Sequence, residues 1–120
     1  MTDSKNSIDD IKQIIKKYVE ERDWQQFHTP KNLSMNIAAE AAELMELFLW
    51  VESSDSHHEL EKNRAAVEDE VADIANGLIN FCLRNNIDLS AAIEKKMAKN
   101  ALKYPVEKSK GKTTKYTLLT

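Results

Sequence analysis

The sequence predicts an all-α fold: a four-helix bundle assembled into a homo-oligomer, with a short basic C-terminal tail. Three observations lead there. Apolar residues recur at helical spacing in four separate stretches. Only two glycines and two prolines punctuate 120 residues, and nothing argues for a sheet of any size. One of the four stretches is apolar nearly all round, more than one small bundle can cover.

The elements follow in order. Ser7, with Asp9 and Asp10 behind it, offers a helix start. Ile8, Ile11, Ile14, Ile15, Tyr18 and Val19 then share a face, and the first helix runs to about Asp23. Trp24 to Leu33 is a connection, and Pro30 rules out its being helical throughout. Ser34 caps a second helix that runs to about Glu52, and Ser53-Ser54-Asp55-Ser56 breaks it. This is the all-round apolar one: Ile37, Ala38, Ala41, Leu44, Met45, Leu47, Phe48, Leu49 and Trp50 leave it no wholly polar side. It is expected to be buried on most sides and to reach a subunit interface. A third helix runs from about His58 to Asn85, with Asn85-Asn86 as its stop. Asp88 or Ser90 caps a fourth, which runs to about Lys103 before Pro105. In the tail, Tyr116 to Thr120 reads as a short strand or an ordered arm. The whole of 1–120 is expected to be one domain, a helical body over 7–104 and a tail over 105–120.

Charge and cysteine usage bound the function. The net charge is −3, but residues 106–120 carry four lysines against one glutamate, so the body is the more acidic part. An acidic body binds nucleic acid poorly, and no specific nucleic-acid partner is expected. The single cysteine, Cys82, excludes a disulfide framework and suits a reducing compartment. No stretch reaches 18 apolar residues and the first residues show no secretion signal, so a cytoplasmic protein with no membrane partner is expected.

The informative residues are acids in apolar company. On the second helix Glu40 and Glu43 lie about 60° apart, with Asn36 and Leu47 between them and Leu33 and Leu44 alongside. Glu70 and Asp73 repeat the pattern on the third, with Val67, Ile74, Gly77 and Phe81 around Glu70. A bare carboxylate among apolar groups is costly, and four together repel. A hard divalent cation compensates them, because carboxylate oxygens suit Mg²⁺ or Mn²⁺. A di-iron bundle would need Glu-x-x-His pairs, and no histidine lies inside these helices apart from His58 at a helix start. The alternative, acids that merely ring a solvated surface, has equal standing on the pattern alone.

A carboxylate-held Mg²⁺ usually meets substrate phosphates. Glycines occur only at 77 and 111, so there is no phosphate-binding loop. Lys96, Asn100 and Lys103 lie near one face of the fourth helix, with Lys95 and Lys99 close by and Tyr104 following; the same residues also read as a solvated basic face. Trp24, Phe27 and His28 cluster in the first connection, and Trp50 ends the second helix. These aromatics fit a core, an interface or a stacking surface for a planar ligand.

Taken together the segments are recognisable. The run Arg22-Asp23-Trp24-Gln25-Gln26-Phe27-His28-Thr29-Pro30-Lys31-Asn32-Leu33 comes first. After it stand Glu40-Ala41-Ala42-Glu43-Leu44-Met45-Glu46-Leu47-Phe48-Leu49-Trp50, Glu70-Val71-Ala72-Asp73-Ile74, and Lys96-Met97-Ala98-Lys99-Asn100 with Tyr104-Pro105. In order and spacing they resemble the MazG-like superfamily of all-α nucleoside triphosphate pyrophosphohydrolases, most of all its small dCTP pyrophosphatase branch. The resemblance covers most of the chain. It implies Mg²⁺ ligands at Glu40, Glu43, Glu70 and Asp73, the catalytic carboxylates, with Mn²⁺ as a substitute. It implies nucleotide contacts from Lys96, Asn100 and Tyr104, and a base and sugar pocket shaped by Trp24, His28 and Trp50. Many superfamily members carry a second glutamate directly before the first ligand; here Ala39 stands there, as is common in the dCTP-directed branch. Glu46 is a candidate neighbour of the ligand set. The implied reaction is hydrolysis between the α and β phosphates to a monophosphate and pyrophosphate, in a homodimer or homotetramer. A related enzyme on another nucleotide, or a non-catalytic helical interaction domain, are the alternatives.

Overall fold

The computed structural model describes residues 1–120, and it is all-α. Six helices are present rather than four: α1 (Ile8–Glu21), α2 (Pro30–Glu46), α3 (Ser56–Lys62), α4 (Arg64–Arg84), α5 (Leu89–Lys103) and α6 (Val106–Ser109). Short 3₁₀ turns stand at Gln25–Phe27, Ser53–Asp55 and Tyr116–Leu118. None of the helices is long and apolar enough to cross a membrane.

The chain divides into two compact units, Met1–Ile87 and Asp88–Thr120. Helix α5 thus goes with the tail, whereas the sequence reading placed it in the body. In the first unit α4 is the central element, and α1 and α2 both pack on it. Their seam buries Ile15 and Val19 of α1, Leu33 of α2, and Val67, Ile79 and Cys82 of α4. Lys12 reaches across from α1, its Nζ donating to the carbonyl of Ile87 at 3.0 Å.

Helix starts are set by local chemistry. Ser7 Oγ accepts from the Asp10 amide at 3.1 Å while the Asp10 carboxylate accepts from the Ser7 amide at 2.8 Å, a reciprocal cap of the expected kind. Helix α2 begins four residues before the expected cap at Ser34. Thr29 Oγ1 accepts from the Asn32 amide at 3.2 Å, and Pro30 sits in the first turn. Proline there loses no helix bond and its fixed φ suits the turn, so Pro30 opens the helix instead of excluding it. Asp88, not Ser90, caps α5: its Oδ1 accepts from the Ala91 amide at 2.9 Å.

Helix ends account for the other departures. Helix α2 stops at Glu46 rather than Glu52; Leu47, Phe48 and Val51 donate to carbonyls three residues back, the tighter winding common at helix C-termini. The expected third helix is two, α3 and α4, parted at Asn63. The Asn63 side chain donates to the Glu59 carbonyl at 3.2 Å and to its carboxylate at 2.8 Å, and this local bonding competes with helix continuation. Asn86, at φ 54°, turns the chain out of α4 in a conformation that asparagine tolerates better than most residues. Tyr116 to Thr120 forms no strand; a 3₁₀ turn stands there instead.

The second unit has its own aromatic lock. Tyr104 meets Tyr116 edge to face at 5.9 Å, and Lys103 Nζ lies 4.7 Å from the Tyr116 ring centre. In the first unit the expectation of an α2 buried on most sides is not met: Leu33 is its only buried residue, and Met35 and Met45 are exposed.

Candidate functional site

The α2–α4 contact brings the two acidic pairs together. Ligand oxygens of Glu40, Glu43 and Glu70 all lie within 4.8 Å of one another. Asp73 shares a cavity wall with Glu40 one turn beyond Glu70, and its charge acts on both Glu40 and Glu70. The cavity measures about 650 Å³ and runs between α1, α2 and α4.

Nothing in the chain neutralises this cluster. The molecule's ion pairs lie elsewhere, on Arg64 with Glu61 and Glu68, and on Glu21 with Lys17 and Arg22. One carboxylate oxygen of Glu40 and one of Glu70 are shielded from solvent and have no hydrogen-bond partner. Their protonation responds accordingly. Local burial, then contact with the Glu43 carboxyl and its charge, then the charge of Asp73 push Glu40 above the ordinary glutamate range. Glu70 is raised by burial first, then by Glu43, Glu40 and Asp73.

A hard cation fits this donor set. Two shielded acceptors without donors are what a cation would satisfy, and the set is all oxygen, as Mg²⁺ and Mn²⁺ prefer. A ring of merely solvated acids does not account for the two shielded oxygens.

Away from the acids the cavity wall is aromatic and amide. Trp24 and His28 line it, as do Tyr18, Asn36, Asn76, Gly77 and Asn80. Tyr18 and Trp24 meet edge to face at 5.8 Å, and the Arg22 guanidinium lies 3.8 Å from the Tyr18 ring centre. Gly77 of α4 stands against α2 at this wall: a Cβ there would lie 3.2 Å from Ile37 Cγ1 and 3.6 Å from Asn36 Nδ2. Its lack of a side chain serves helix approach as well as space in the cavity.

With this geometry in view, likeness to known proteins becomes informative. The model of the MazG-like family matches residues 35–119. The chain belongs to the MazG-like family. Within it, the chain is 36% identical over 113 residues to the protein named dCTP pyrophosphatase 1 of Rattus norvegicus, covering 92% of this chain and 66% of that protein. The human protein of the same name is 33% identical over 115 residues, covering 94% and 68%. This MazG-like chain therefore spans about two thirds of the length of its mammalian relatives. A crystal structure of a pyrophosphatase from Archaeoglobus fulgidus superposes with a TM-score of 0.80 at 36% identity, over 88% of this chain and 98% of that one. The MazG-like fold and a close relationship to the dCTP pyrophosphatase branch, both expected from the motifs, are thus shown.

Of the ten site residues named from the sequence, six come together in the first unit: Glu40, Glu43, Glu70, Asp73, Trp24 and His28. Trp50 does not join them; it follows α2 on a turn, 91% exposed. Lys96, Asn100 and Tyr104 belong to the second unit, on α5 and at its C-terminal end. The sequence reading missed Tyr18, Asn76 and Asn80 as wall residues. Asn80 was open to discovery: it stands seven residues from Asp73, on the same helical face, between the apolar Ile79 and Phe81.

Proposed function

We propose that the chain is a Mg²⁺-dependent nucleoside triphosphate pyrophosphohydrolase that converts dCTP, or a related or modified deoxynucleotide, to its monophosphate and pyrophosphate. The observation that carries this is the pair of shielded, unpartnered oxygens on Glu40 and Glu70, in an acidic cluster of which Glu40 and Asp73 line a cavity large enough for a nucleotide. The names of the mammalian and archaeal relatives point to the same reaction class.

Glu40, Glu43, Glu70 and Asp73 would hold the cation. When bound, Mg²⁺ or Mn²⁺ supplies the positive charge that offsets the triphosphate and the negative charge developing in the transition state. The chain's own residues do the rest. A carboxylate oxygen of this set that the cation leaves free would accept the proton of the water that attacks the α phosphorus, as the bond to the β-phosphate oxygen breaks. Trp24 and His28 hold the nucleoside against the aromatic wall and narrow the access of bulk water. Substrate contacts from Lys96, Asn100, Tyr104 and Trp50 are proposed on the sequence resemblance, not on a position in the cavity.

We further propose that residues 1–120 act as one catalytic domain in the cytoplasm, within a homodimer or homotetramer. The exposed Met35, Met45, Leu49 and Trp50 give a second copy an apolar surface to cover. Trp50→Ala is expected to lower the oligomeric state at micromolar concentration, read by light scattering behind a sizing column. An unchanged particle mass would remove Trp50 from the interface.

The functional test is a panel of deoxy- and ribonucleoside triphosphates with Mg²⁺, resolved by chromatography. Monophosphate plus pyrophosphate is the expected product pair. Orthophosphate plus a diphosphate, or no turnover with either Mg²⁺ or Mn²⁺ from a folded sample, would overturn the proposal.

A further inference from the structure

The cavity has a second polar end, and the proposed reaction does not explain it. Asn80 lines the cavity wall yet is only 5% exposed. Its Nδ2 lies 3.1 Å from His28 Nδ1, while its Oδ1 is shielded from solvent and has no partner. A buried amide oxygen left without a donor is costly, and such groups in folded proteins are rare unless a ligand or water serves them.

The roles within the pair follow from the amide nitrogen of Asn80, which can only donate, so that His28 Nδ1 accepts. Burial, and secondarily the charge of Arg84, hold the His28 imidazole below its ordinary range, so the ring is neutral near pH 7. With its proton on Nε2, Nδ1 is an acceptor and takes a hydrogen from Asn80 Nδ2. The carboxamide is thereby held with Oδ1 as the free acceptor. The half-buried Arg84, one turn along α4, makes no bond to it and has shielded, unpartnered guanidinium nitrogens of its own, so the donor that Oδ1 lacks is left to a ligand.

The position along the helix says which part of a nucleotide that is. Asp73 and Asn80 are seven residues apart on α4, about 10 Å along the helix axis and on the same face. A nucleotide with its α-phosphate at the carboxylates places the edge of its base at a distance of that order. Between the two ends lie Asn76 and Gly77, the latter without a side chain to block the path.

Resting on the pyrophosphohydrolase reading, we propose that Asn80, held in orientation by His28, is the specificity-determining residue of the cavity. Its Oδ1 accepts from the exocyclic amino group of an aminopyrimidine and turns away the keto oxygen that stands in the same place in uracil and thymine. Trp24 supplies area without discriminating between them; the amide supplies the discrimination. His28 is a positioning residue here, acting through Asn80.

The test compares dCTP with dUTP, which differ at that amino or keto group and at the adjacent N3, an acceptor in cytosine and an N–H donor in uracil, in the full chain with Mg²⁺. Wild-type protein is expected to favour dCTP in kcat/KM by about 10- to 100-fold, the usual consequence of facing a buried acceptor with no donor. Asn80→Ala should bring the ratio close to one, and His28→Ala should lower it by freeing the amide to turn. A second readout needs neither turnover nor a variant that folds: calorimetric binding of dCMP and dUMP to the wild-type protein should show the same preference. Equal cleavage and equal binding of the two pyrimidines, or a preference for dUTP, would overturn the role of Asn80 and leave the reaction class standing. A wild-type ratio that survives in a folded Asn80→Ala variant would overturn it as well. Cleavage of no nucleotide in the panel would bring down the reaction class, and this inference with it.

Discussion

Two helical regions carry charge of opposite sign, and they are built on opposite principles. On α2 and α4 the charges are acids gathered where the two helices meet: Glu43 and Asp73 are exposed, while Glu40 and Glu70 are half-buried, with shielded oxygens and raised proton affinity. On α5 they are Lys95, Lys96, Lys99 and Lys103, on a helix with no buried residue at all. A carboxylate held in the first setting is costly for the fold, so its presence asks for a ligand. A lysine in the second setting costs the fold almost nothing, so its presence asks for no explanation. The difference shows why one half of a proposed phosphate site can be argued from physics and the other half only from resemblance.

The sharpest way to break that contrast is to neutralise the acids without changing their shape. Glu43→Gln and Asp73→Asn should each lower kcat/KM by about 10³-fold, on the scale of losing a principal electrostatic element of the transition state. The same changes should raise the melting temperature of the metal-free protein, because they relieve repulsion inside the cluster. Loss of activity together with gain of stability is the signature of acids kept for chemistry. Folded variants with full activity would return the carboxylates to a solvated ring.

The same contrast explains how much was legible beforehand. The carboxylate pairs were readable because their period placed them on the apolar faces of two helices. The cap at Ser7 and the stop at Asn85-Asn86 were readable because those residues act on neighbouring backbone. Pro30 misled because one residue type both breaks helices and opens them, and only the Thr29 side chain decides between the two. Asn63 misled because a single asparagine bonding back to Glu59 interrupts a pattern whose apolar period continues through it. Asn80 and Tyr18 were overlooked for a different reason: cavity walls are made where helices meet, and no single helix wheel shows the partner face. For α5 the sequence supplies a basic face and nothing to separate a binding lysine from a solvated one.

Lysine scanning of α5 sharpens that last point, with a smaller effect. If α5 presents one face to phosphate, Lys96→Ala should lower kcat/KM about 10-fold and more so at low salt, since an exposed cation acts through a screened field. Lys95→Ala, on a different face, should cost less than about 2-fold. Equal losses at both positions would mean that α5 contributes only a diffuse field, and the assignment of Lys96 would fall.

The smallest effect is in the pH dependence of the metal-free fold, and its sign is distinctive. Glu40 and Glu70 bind protons more tightly in the folded chain than in the unfolded one. Their contribution to stability is therefore fully present below the ordinary glutamate range and is lost as pH rises through the raised values. Most paired carboxylates behave in the reverse way. His28 tilts the curve in the other direction: its lowered proton affinity, from burial first and the charge of Arg84 second, makes stability fall as pH drops through the ordinary histidine range. Subtracting the profile of Glu70→Gln from that of the wild type isolates the glutamate part. The difference in melting temperature, recorded in chelator, should move against the wild type as pH rises, and saturating Mg²⁺ should reverse it, because the cation replaces the protons that the cluster releases. A difference that is flat with pH in chelator would mean that the two glutamates are held no differently from the solvated acids of the surface.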